Sequence, residues 1–249
     1  MHFACRAFVY LWGALSVRSP VALLSCTIYN RAIVVILKIV RRSIMELESS
    51  ANIDTALSRV AELLAFAGEH YAVAVLGGAA LVLLGIVDRA TSDVDILAFA
   101  KSDSPQPDLR EPPEPFPEPL RRAIDTVARD MSLEERWMNA GPALQWKQGL
   151  PPGIAARVQW RHYGPAVLPE LGLDIGLVSR YDLVFFKLYA TVDHATTRSV
   201  HYKDLLALSP THEELIAAAS WVRQQNASPE FGEILDQVVS HVSSQLKQE

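Results

Sequence analysis

At 249 residues, half of them apolar and with a net charge of −5, the chain can bury a sizeable core in one domain or two small ones. That charge provides no broad basic surface for a polyanion, and the only cysteines, Cys5 and Cys26, exclude a disulfide framework and a thiolate zinc site in the body. A reducing, cytoplasmic setting is the simplest expectation.

Residues 1–45 differ from the rest. They hold six basic residues and no acidic ones, which, set against the total of −5, leaves −11 on the remainder. Arg18, Pro20, Arg31 and Lys38 interrupt their apolar runs, so none reaches the ~18–20 residues of a membrane span. Composition changes abruptly at Met45. Met45 is therefore expected as the start, with 1–45 as a non-native extension. The alternatives are a membrane-associating helix, to which Ala32–Val40 and the following Arg41 and Arg42 point, and a native globular part.

From Ser50 or Asn52 a helix is expected to run to about Ala67, with Ile53, Leu57, Val60 and Leu64 on one face and Gly68 as its stop. Ala72–Leu76 reads as a strand. It runs through Gly77 and Gly78 into a helical pattern over Ala79–Ile86. Glycine lets the backbone approach a ligand closely, and free N–H groups after a strand can face an anion. Asp93 and Asp95 follow, among the apolar Val94, Ile96 and Leu97. A period of two puts both carboxylates on one face of a strand. Two like charges there repel unless a cation lies between them, and a hard ion with oxygen ligands, Mg²⁺ or Mn²⁺, fits best.

This stretch resembles the nucleotidyltransferase superfamily typified by DNA polymerase β. Within it, the chain is most similar to minimal bacterial proteins related to abortive-infection nucleotidyltransferase toxins. Gly77, Gly78, Ala80, Leu81, Arg89, Thr91, Asp93 and Asp95 carry the resemblance. It implies an α+β (α/β) nucleotidyltransferase fold, with a small mixed sheet flanked by helices over 46–179 and a helical lobe over 180–249. It also implies metal-dependent transfer of a nucleoside monophosphate from an NTP to an RNA such as tRNA, a protein or a small molecule, in a toxin–antitoxin setting with a cognate partner protein. Gly77 and Gly78 would hold phosphates, Thr91 and Ser92 would bond to them, and Arg89 would offset their charge or pair with a carboxylate. A nucleotide-binding or regulatory module without turnover is the alternative.

Seven prolines in 101–119 exclude a regular helix or central strand there. A helix is expected from Leu120 to Met131, and strands over Arg157–His162 and Leu171–Val178. Trp137, Met138, Asn139 and Trp146 read as a packed turn. Asp174 interrupts the second strand; it is either the third metal-binding carboxylate that the resemblance implies or a solvent-facing acid. Lys187 is the one interior charge of the helix Arg180–Val192, and it either reaches nucleotide phosphates, as the resemblance implies, or snorkels to water. Asp204, in the Lys203–Asp204 pair, is a metal-site or orienting acid by resemblance, or half of a surface ion pair; Ala207 stands where related proteins often carry a second acid. Thr211 and Glu214 have the spacing of a capping box, and Pro229 opens a last helix. The seven histidines show no metal-ligand spacing.

Overall fold

The computed structural model describes residues 47–101, 107–146, 148–194 and 198–247, so the expected extension 1–45 lies outside the described residues. Helix α1, Ser50–Phe66, is capped by Ser49, whose hydroxyl accepts from the Asn52 N–H at 3.3 Å. The cap precedes both expected positions because Ser49 is the last residue with extended backbone (φ −152°, ψ 166°). Ile53, Leu57, Val60 and Leu64 are all buried, as their three-and-four spacing requires.

Strand β1, His70–Leu76, runs directly into α2, Gly77–Leu83. This helix begins two residues before the expected Ala79, because Gly77 takes φ +78° and turns the chain there. The other strands are β2 (Val94–Lys101), β3 (Asp108–Arg110), β4 (Met138–Asn139), β5 (Gln159–Tyr163) and β6 (Gly172–Leu177). Helix α3, Glu118–Asp130, lies between β3 and β4.

The described residues form a mixed α/β structure, a six-stranded sheet with seven helices. Its order is β3-β2-β1-β6-β5, and β4 pairs with the start of β2. β1 is antiparallel to β2 and parallel to β6, which is antiparallel to β5. The proline-rich stretch does contribute a strand, β3, at the sheet edge, formed by the proline-free run between Pro107 and Pro112.

Side-chain alternation splits the sheet between two cores. Val73, Val75, Ile96 and Ile175 cluster with α1 and α3. Ala74, Leu76, Leu97 and Ala98 cluster with the helices that follow the sheet. Leu97 and Ala98 are consecutive yet share a core. A bulge explains this: Val75 pairs with Ile96, but Ala74 pairs with Ala98.

The C-terminal helices are α4 (Arg180–Asp193), α5 (Val200–Ala207), α6 (His212–Gln225) and α7 (Pro229–Gln245). Ser179, Ser199, Thr211 and Ser228 cap them in turn, each side chain accepting from a backbone N–H three residues on. At Thr211 the box with Glu214 is complete. The inner face of α6, Leu215, Ala218, Ala219 and Val222, is buried. Among the described residues, no helix is long and apolar enough to cross a membrane.

Candidate functional site

Antiparallel pairing sets Leu76, the last residue of β1, opposite Asp95 on β2. The chain therefore turns at Gly77 against the Asp95 carboxylate. A Cβ on Gly77 would lie 2.4 Å from Asp95 Oδ2, and one on Gly78 would lie 2.6 Å from Thr91 Oγ1. Both positions need glycine because polar side chains occupy the space a methyl would take. Asp93 and Asp95 open on one cavity of about 460 Å³, which Gly77, Gly78, Arg89, Thr91, Ser92 and Lys187 also line. Its apolar wall includes Trp146 and Phe186, with ring centroids 4.9 Å apart.

The two sides of this cavity differ in charge. Burial, and then the nearby Asp93, push the Asp95 carboxyl up from 3.8 to about 7; Lys187 and the Asn139 amide oppose the shift. Lys187 is 5 % exposed, and its Nζ donates to Asp204 Oδ2 at 2.7 Å. Arg89 grips the same carboxylate with two bonds, Nε to Oδ1 at 3.1 Å and Nη2 to Oδ2 at 2.7 Å. Burial alone would raise the Asp204 carboxyl, but these cationic partners outweigh it and hold it below the usual carboxylate range. The cluster carries two positive charges and one negative. His201, also on the cavity wall, is pushed down to about 4, first by burial and then by Lys187, so its imidazole is neutral near pH 7.

Several expectations are refined or corrected. Thr91 is buried, and its hydroxyl donates to the Asp93 carbonyl at 3.3 Å, so it braces the aspartate turn. Its backbone is bridged to Leu47. Ser92 lies exposed on the cavity rim. Lys187 neither snorkels to water nor stands alone, since Asp204 meets it inside the protein. Arg89 takes the pairing role. Asp204 is not half of a surface ion pair: it lies 2 % exposed behind the two cations, away from the carboxylate pair.

Asp174 does not join Asp93 and Asp95. It lies opposite Ala72, four residues before Leu76 on β1, a separation of roughly 13 Å at strand rise. Its carboxylate meets His70 and His162 instead. The third-carboxylate role is corrected by register, because β6 brings Asp174 alongside the beginning of β1 and the cavity is at the end.

Sequence reading missed Asn139, which β4 pairs with Asp95, its amide 3.5 Å from Asp95 Oδ1. It also missed the roles of Trp146, Phe186 and His201. The one available signal was the tryptophan pair around Asn139: Trp137 is fully buried, donates to the Ile124 carbonyl at 3.2 Å and anchors β4. No protein-family model, curated protein or solved structure matches the chain.

Proposed function

We propose that the protein is a metal-dependent nucleotidyltransferase with the nucleotidyltransferase fold, moving a nucleoside monophosphate from an NTP to an acceptor hydroxyl on an RNA such as tRNA, a partner protein or a small molecule, in a toxin–antitoxin setting in the cytoplasm. One observation carries the reading: Asp93 and Asp95 share one cavity with Gly77, whose missing side chain admits the Asp95 carboxylate. The donor set suits Mg²⁺ or Mn²⁺. Such ions take one or two protein carboxylates and complete their shell with substrate phosphates and water. The raised Asp95 carboxyl marks a partly buried acid with a second acid, Asp93, beside it, an arrangement that a cation relieves.

Asp93 and Asp95 would hold the metal, which when bound neutralises phosphate charge and polarises the reacting oxygens. The acceptor oxygen bonds to the α-phosphorus, the bond from that phosphorus to the bridging oxygen breaks, pyrophosphate leaves, and the hydroxyl proton passes to solvent. Gly77 and Gly78 line the cavity, and their backbone N–H groups would hold the triphosphate. The net positive Arg89–Asp204–Lys187 cluster offsets charge that builds on it. Trp146 and Phe186 offer an apolar face to the base.

The alternative, a nucleotide-binding module without turnover, is favoured by one placement: Asp174 and Asp204 both lie away from the metal pair. The full-length protein, each α-labelled NTP, Mg²⁺ and total RNA or lysate separate the two. Label transfer that Asp93→Asn abolishes supports the enzyme. NTP binding with no label on any acceptor supports the module, and failure to bind any NTP rejects both.

A further inference from the structure

The geometry points to a second metal site, unrelated to the nucleotide cavity, in which His70, His162 and Asp174 hold a borderline divalent cation of the zinc class. The three residues come from three adjacent strands, and β6 places Asp174 between its neighbours. His162 lies directly across from it on β5, and His70 lies two residues before its β1 partner Ala72, on the same face. His70 Nε2 is 3.1 Å from Asp174 Oδ2, and His162 Nδ1 is 2.8 Å from Asp174 Oδ1. One ligand atom from each residue falls within 4.8 Å of the others. Bonds of about 2.0–2.2 Å from zinc to nitrogen and oxygen put neighbouring ligand atoms little more than 3 Å apart, so small side-chain rotations close the site.

Two further features support a ligand. The side chains are 20 %, 32 % and 31 % exposed for His70, His162 and Asp174, which leaves a path for an ion and for water in the remaining positions. The His162 ring also sits in a cradle that glycine creates. A Cβ on Gly164 (φ +149°) would lie 2.7 Å from the Leu171 carbonyl and 3.0 Å from His162 Nε2, so only glycine leaves room for the ring there. Two imidazoles with one carboxylate favour zinc, cobalt or nickel over magnesium. The bound ion would clamp β1, β6 and β5 together.

Full-length protein stripped with a chelator and titrated with zinc against a chromophoric competitor tests the site. One zinc equivalent is expected, with affinity at least about tenfold weaker in His162→Gln and in Asp174→Asn. A roughly hundredfold excess over the wild-type Kd should raise Tm by about 5 °C or more in the wild type and by about half that or less in the variants. Cobalt should give visible absorption bands that the same variants weaken. His70→Gln, on another strand, supplies an independent readout if either variant unfolds. No zinc bound up to roughly 100 µM, or the same isotherm in wild type and variants, overturns the site. Neither outcome bears on nucleotide transfer, which is read with Mg²⁺ and label.

Discussion

The carboxylate pair and the ion cluster border the same cavity and are built from the same kinds of side chain, yet their energetics are opposite. Asp204 is buried with two cations bonded to it, and its ionised form is favoured. Asp95 is partly buried beside a second acid, and the charge of Lys187 and a long amide contact only partly offset this, so its ionised form is disfavoured. Burial has the same sign for both carboxylates; the partners decide the outcome. A paired buried charge supports the fold, whereas a strained like-charge pair at a cavity is where a cationic ligand gains most.

Five substitutions sharpen or break this contrast. The largest effect is expected for Asp204→Ala, which strands Arg89 and Lys187. It should cost about 3–5 kcal/mol in urea unfolding, and a loss below about 1 kcal/mol would remove the idea of a supporting cluster.

Asp95→Asn should act the other way in metal-free protein. The folded carboxyl binds its proton more tightly than the unfolded one, so wild-type stability falls as pH rises from 3.8 to about 7 and the whole penalty is present above that. The variant should gain about 2–3 kcal/mol at pH 8 in chelator, shrinking towards zero near pH 4. Thermal melts at the two pH values check this, and a gain that does not depend on pH contradicts it.

Gly77→Ala should destabilise by about 2 kcal/mol, from its positive φ and from contact with Asp95. Gly85→Ala shares the positive φ (+70°) but meets nothing within 4 Å, so about 1 kcal/mol is expected. Equal losses for the two would show that Asp95 does not press against the turn. The smallest effect, within about 0.5 kcal/mol, belongs to Arg122→Ala, which breaks only the exposed Arg122–Glu118 pair. It sets the scale of an ion pair in water.

The aspartate pair was legible because its pattern is local. Asp93 and Asp95 are two residues apart and reach the same cavity, although β2 begins only at Val94 and leaves Asp93 just ahead of the strand. The pattern is equally local in the buried faces of α1 and α6 and in the Thr211–Glu214 box. These depend on neighbours one to four residues apart, whose geometry the backbone repeat supplies.

The partners of Asp174 and Asp204 were not legible in that way. Asp174 meets a histidine 104 residues away, and Asp204 meets an arginine 115 residues away. Either acid has the same local sequence signal as a solvent-facing one. Strand order and register assign their partners, and these arise only when two cores close on opposite faces of the sheet. The extra residue Leu97 shows the same limit: its bulge changes which side chains reach which core, and nothing in the alternation of Val94–Lys101 announces it. By itself, the amino-acid sequence determined the helices, most of the strands and the pairing of Asp93 with Asp95, because short-range repeats dictate them. The tertiary structure alone decided which charges are neutralised and which remain in tension, because the energy of a buried charge depends on groups that only folding brings near it.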